Sequence, residues 1–127
     1  MPTRFFGALL LALLATSATA GDATTLHGSF RSGYQDRPER LRAVFTPTGE
    51  AEWSVVFYFR FGGADHTYEG VAAGSLTDGE LSGRARNENG SRLFTFRGPV
   101  AEGEFRGTHF EVIRGEERKT GTLHLAG

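Results

Sequence analysis

The stretch GTHFEVI, residues 107–113, sets His109 two positions from Glu111. An imidazole and a carboxylate at that spacing share one face of a β-strand, because side chains alternate. A histidine oriented by a carboxylate can act as a general base. No motif places a nucleophile beside it. The four histidines, His27, His66, His109 and His124, lack the close spacing of a zinc site. The chain has no cysteine, which removes thiolate ligands, cysteine nucleophiles and disulfides together. No catalytic residue, metal ligand or cofactor is therefore assigned. Asn89-Gly90-Ser91 fits an N-glycosylation acceptor, but Asn-Gly is also a hairpin-turn signal. The residues left with chemical interest are Tyr34, Phe61, His66, Tyr68, Arg92, His109 and Glu111. Their meaning depends on the elements that carry them.

The chain opens MPTRFFGALLLALLATSATA. Arg4 precedes an apolar run from Phe5 to Ala15, too short to span a bilayer as a helix. Ala18-Thr19-Ala20 follows as a small-residue cleavage pattern. Residues 1–20 read as a cleaved signal peptide, and residues 21–127 as one β-barrel domain exported to the periplasm or secreted. The whole chain carries 14 Lys and Arg against 15 Asp and Glu. A balance this close gives no general attraction to nucleic acid. No later segment has the length of a transmembrane helix.

Turn signals divide the remainder. Asp78-Gly79 and Asn89-Gly90 are the strongest hairpin dipeptides. Thr48-Gly49, Glu102-Gly103 and Arg114-Gly115 are weaker ones, and Gly62 to Asp65 reads as a longer turn. Strands are expected near 26–34, 40–47, 51–61, 66–77, 80–88, 91–101, 104–114 and 118–125. The short links make neighbours antiparallel. The fold class is therefore all-β: an antiparallel up-and-down meander of about eight strands, closed or nearly closed into a small barrel. A two-sheet sandwich is the alternative. In-strand glycines such as Gly28, Gly70, Gly83, Gly98, Gly107 and Gly121 share parity with the large apolar residues. Glycine weakens a strand, so consistent inward placement points to a steric need. GSLTDGELSG at 74–83 and GPVAEGEFRG at 98–107 repeat one template, as two consecutive hairpins of one barrel would. One register stays open: a bulge near Gly107-Thr108 would turn Phe110 and Val112 inward and His109 outward.

In such a meander alternate links gather at each end. The links at 48–49, 78–79 and 102–103 make a tight floor; those at 35–39, 62–65, 89–90 and 115–117 make a more polar mouth. Inward parity puts Phe45, Trp53, Val55, Leu76, Leu81, Val100, Phe105 and Leu125 at the floor. It puts Tyr34, Phe61, His66, Tyr68, Asn87, Arg92, His109 and Glu111 near the mouth. The architecture is similar to up-and-down ligand-binding barrels of the lipocalin and avidin kind, and fold does not fix function. One expectation is a module that binds a small apolar or amphipathic ligand at the mouth. The rings of Tyr34, Phe61 and Tyr68 would supply contact area, and His66 and Arg92 would hold the polar end. Arg92 suits a carboxylate unless Glu111 neutralises it first. The alternative is a solid-core structural or interaction module with a protein partner and no cavity. An enzyme is the least supported reading. A small outer-membrane barrel is the mirror assignment. The short loops and the non-aromatic last strand GTLHLAG argue against it.

Overall fold

A computed structural model describes residues 21–33 and 37–127. The signal segment expected at 1–20, and Tyr34, lie outside the described residues. The strands are β1 (Thr24–Ser32), β2 (Glu39–Gly49), β3 (Glu52–Phe61), β4 (Ala64–Gly74), β5 (Gly79–Arg86), β6 (Leu93–Ala101), β7 (Glu104–Ile113) and β8 (Glu116–Ala126). Each pairs antiparallel with the next, and β8 pairs with β1, so the meander closes into a barrel and the sandwich is excluded.

Alternation decides what lies inside. Phe45, Val55, Leu81, Phe105 and Leu125 are almost wholly buried and fill the floor half. No polar side chain is buried among the described residues. The inward glycines sit where neighbouring backbones come too close for a side chain. A Cβ at Gly28 would overlap the carbonyl of His124, one at Gly70 that of Arg84, and one at Gly121 that of Arg31. At Gly83 and Gly107 it would also strike the rings of Phe96 and Phe105. These are the points where a small barrel coils most tightly.

The turns differ from the sequence expectation in an instructive way. Gly62-Gly63 (φ 64° and 82°), Glu102-Gly103 (φ 55° and 77°) and Arg114-Gly115 (φ 54° and 80°) are tight two-residue turns, with both central residues left-handed as hairpin twist requires. The longer turn expected over Gly62 to Asp65 is thus only two residues, because Phe61 pairs directly with Ala64. Asp78-Gly79 and Asn89-Gly90, the stronger signals, belong to wider loops. β4 ends at Gly74 rather than at residue 77. Ser75 to Asp78 then cross the barrel floor with Leu76 buried beneath them. The two copies of the repeated template meet there. The Gly103 amide donates to the Thr77 carbonyl at 2.8 Å, and the Glu102 amide to Asp78 Oδ1 at 3.1 Å. Capping the floor consumes the residues that a two-residue turn would have spared.

The bulge lies in β8, not near Gly107-Thr108. His109 pairs with Gly121 and Phe110 with Lys119, leaving Thr120 as the extra residue. β7 therefore keeps its parity, with His109 inward and Phe110 outward. Phe110 is not left bare, because the Arg97 guanidinium lies 4.0 Å over its ring and is held by Glu117 at 3.0 Å.

Candidate functional site

At the end opposite the floor cap, large rings from β3 face small residues on β4 and β5. Phe57, Phe59 and Phe61 share the inner face of β3; Gly70, Ala72, Gly83 and Ala85 line the inner faces of the next two strands. A cavity of about 140 Å³ lies at this end, bordered by Phe57, Phe59 and Phe61 of β3 and, of the small residues, by Ala85 alone. Phe30, Leu41, Phe57, Phe59, Phe61, Tyr68, Ala85, Phe94, Phe96 and Leu123 form its apolar wall, and Ser32, Arg92, His109 and Thr120 contribute polar groups.

Five rings from five strands form a closed circuit around this space. Phe30 meets Phe59 edge-on at 5.0 Å between centroids, Phe59 meets Tyr68 at 5.2 Å, and Tyr68 meets Phe94 at 5.6 Å. Phe94 meets His109 at 6.3 Å, and His109 returns to Phe30 at 6.2 Å. These separations and tilts suit the quadrupoles of aromatic rings. Below the collar, Phe57 and Phe96 pack edge-to-face at 5.3 Å and close the cavity toward the floor.

His109 is locked into this collar. Its Nε2 lies 2.9 Å from the Arg31 carbonyl and its Nδ1 2.7 Å from Thr120 Oγ1. In the neutral ring Nε2–H donates to the Arg31 carbonyl, and Nδ1 shares the single Thr120 hydroxyl proton with the His109 carbonyl, 3.1 Å from the same oxygen. Burial lowers the His109 pKa, opposed by the hydrogen bond to Arg31. The bulge in β8 aims Thr120 at the imidazole. His109 and Glu111 are thus not an acid–base pair, because Glu111 is bound elsewhere.

Glu111 holds Arg92 in a two-pronged bond, with Arg92 Nε to Oε2 and Nη2 to Oε1 both at 2.9 Å. That bond lowers the Glu111 pKa. Arg92 belongs to the wide β5–β6 loop, where the Asn87 side chain accepts its backbone amide at 3.0 Å. Its guanidinium carbon lies 5.1 Å from the centroid of the Phe94 ring. Burial raises the Tyr68 pKa, and Arg92, Glu111 and Glu88 all act on that phenol through their charges.

Of the sequence-chosen residues, Phe61, Tyr68, Arg92 and His109 line the cavity. Glu111 acts on it through Arg92. His66 stands behind the lining, stacked on Phe59 at 5.4 Å, with Nε2 3.2 Å from the Phe61 carbonyl. Phe30, Phe59 and Phe94 belong to the collar and were absent from the sequence-chosen set, although their inward parity was legible. Thr120 had no sequence signal, because its bulge exists only in the paired strands. Among the described residues, no group of three or more His, Asp or Glu could hold a metal ion. Comparison with protein-family models, curated proteins and solved structures gives no match to this chain.

Proposed function

We propose that the protein is a small-molecule binding module whose ligand enters the barrel mouth and seats an apolar ring or short branched group inside the aromatic collar. The observation that carries this reading is the closed circuit of five rings around a cavity of about 140 Å³. Apolar cavities of about 150 Å³ accept a benzene molecule, whereas pockets for drug-sized ligands run from about 300 to 1,000 Å³. The buried part of the ligand is therefore one ring in size, and any remainder lies in the open mouth. The apolar interior and charged exterior support a barrel standing in water, the reverse of a membrane-spanning one. The N-terminal pattern of residues 1–20 supports export to the periplasm or beyond.

Toluene titrated into 15N-labelled protein tests the pocket. Saturable amide shifts at Ala85, Phe94 and His109 are expected in wild type and in the surface control Arg84→Ala. Ala85 is 3% exposed and lines the cavity, so Ala85→Leu sends its added methyl groups into the space and abolishes the shifts. No saturable shift in wild type would overturn the reading. It would leave the solid-core interaction module, which has its own support in Tyr58 and Val71, 36% and 45% exposed on the outer face of β3 and β4.

A further inference from the structure

We propose that the mouth selects an uncharged single-ring molecule with a hydroxyl-type polar end over its carboxylate and ammonium counterparts. The proposal rests on the binding reading above and adds the charge class of the ligand.

Among the described residues, Arg92 is the one side chain on the cavity wall that is permanently cationic. Arg92 would recognise a ligand carboxylate if its guanidinium fork were available. Glu111 already occupies that fork through both carboxylate oxygens at 2.9 Å, and its side chain is 16% exposed. The register holds this arrangement in place. Phe94 stands directly opposite Glu111 across β6 and β7, and Arg92 lies over the Phe94 ring. The Asn87 side chain fixes the Arg92 backbone from below.

A ligand carboxylate at this wall has two routes, and both are unfavourable. It can displace Glu111, leaving that carboxylate unpaired in a mostly desolvated position. It can leave the pair intact and set its own charge beside Glu111 without compensation. An ammonium group meets the mirror problem. It faces Arg92, and the Glu111 oxygens are already taken. With the ring seated in the collar, a charged end at the rim gives up part of its hydration to the surrounding rings, and without a partner that loss is unfavourable. A hydroxyl avoids both penalties, because it can donate or accept at the rim without disturbing the ion pair. The Tyr68 phenol is protonated near neutral pH, as an ordinary tyrosine is, and burial only raises its pKa further, so it too can serve as donor or acceptor.

Benzyl alcohol, benzoate and benzylammonium share one ring and one exocyclic carbon and differ in charge. Each is titrated into the 15N-labelled protein near neutral pH, with the amides of Ala85, Phe94 and His109 as reporters. In wild type, benzyl alcohol is expected to bind at least about tenfold more tightly than either ion, the order of discrimination that one uncompensated charge in a partly desolvated site produces. Glu111→Gln removes the negative charge from this wall and is expected to tighten benzoate binding relative to wild type. Arg92→Met removes the positive charge from the wall and is expected to tighten benzylammonium binding relative to wild type, although Arg118 still stands opposite Glu111 across β7 and β8. Benzoate or benzylammonium matching or exceeding benzyl alcohol in wild type overturns the proposal while leaving the pocket standing. So does a folded Glu111→Gln variant that binds benzoate no better than wild type. Absence of shifts with all three compounds and with toluene removes the pocket itself. The wild-type comparison decides the matter even where a variant does not fold.

Discussion

His109 has two anchors and is only partly exposed. Its nitrogens meet Thr120 and the Arg31 carbonyl, and desolvation lowers its pKa below the ordinary histidine value. The native state therefore binds fewer protons at this site than the unfolded chain does. Its contribution to stability is complete above the unfolded pKa of about 6.5 and is lost as pH falls through that value toward the lower folded pKa. Urea midpoints measured from pH 7.5 down to pH 5.5 should fall for wild type and fall less for His109→Gln, which keeps a donor and an acceptor but does not titrate. Equal slopes would show that the imidazole is not neutral by virtue of its burial. Glu104, Glu111 and Glu117 have lowered pKa values from their side-chain hydrogen bonds. They weaken the fold at more acidic pH, below about 4.5, so their effect is separable from that of His109.

At the scale of a strand, the glycines mark where the barrel is coiled most tightly. Gly83 faces the Val71 carbonyl and the Phe96 ring, and Gly107 the Phe105 ring and the Arg97 carbonyl. A valine at either position has to displace backbone or a packed aromatic. Ser82 and Thr108, one residue away on each strand, lie on the outer face. Gly83→Val and Gly107→Val are expected to lower stability by roughly 1–3 kcal/mol more than Ser82→Val and Thr108→Val, the usual range for overpacking a filled core. Denaturant midpoints at constant m-value read this directly. Similar midpoints for the inner and outer variants would mean that the strands can relax away from these contacts.

For the whole molecule, closure is the property that matters. β1 pairs with β2 on one side and with β8 on the other. No strand among those described is left with an open edge, which is the general hazard of a sheet. Floor and mouth nevertheless differ. The interior of the floor half is filled by Phe45, Phe105, Leu81 and Leu125 and capped by Leu76, with an open recess outside it between Trp53, Ser75 to Thr77 and Glu102; the mouth keeps the aromatic-lined cavity. Native-state hydrogen exchange should show floor amides of all eight strands, β1 and β8 included, exchanging only through global unfolding. Amides near the mouth should open at lower free energy. Faster exchange along the whole β1–β8 seam than along β3–β4 would show that the barrel opens there.

Much of this was legible in the residues because it depends on a local rule. A pleated strand sends alternate side chains to opposite faces whatever its partner. The inward placement of Phe45, Val55, Leu81, Phe105 and Leu125 and of the glycines follows from that parity, and the order of strands and the polar grading toward one end follow from the short links between them. The features that make a site depend on residues far apart in the chain. Asp78-Gly79 carries the local chemistry of a tight turn, but the barrel needed a floor, and the loop bearing Leu76 supplied it. The β8 bulge brings Thr120 to His109, 11 positions away, and His109 reaches the Arg31 carbonyl across 78 positions. The Arg92–Glu111 bond spans 19 positions and turns a candidate carboxylate receptor into a neutral wall. Alternation alone determined which residues face inward. Closure of the barrel decided which of them meet, because contacts across strands are set by register and coiling, to which distant parts of the chain contribute equally.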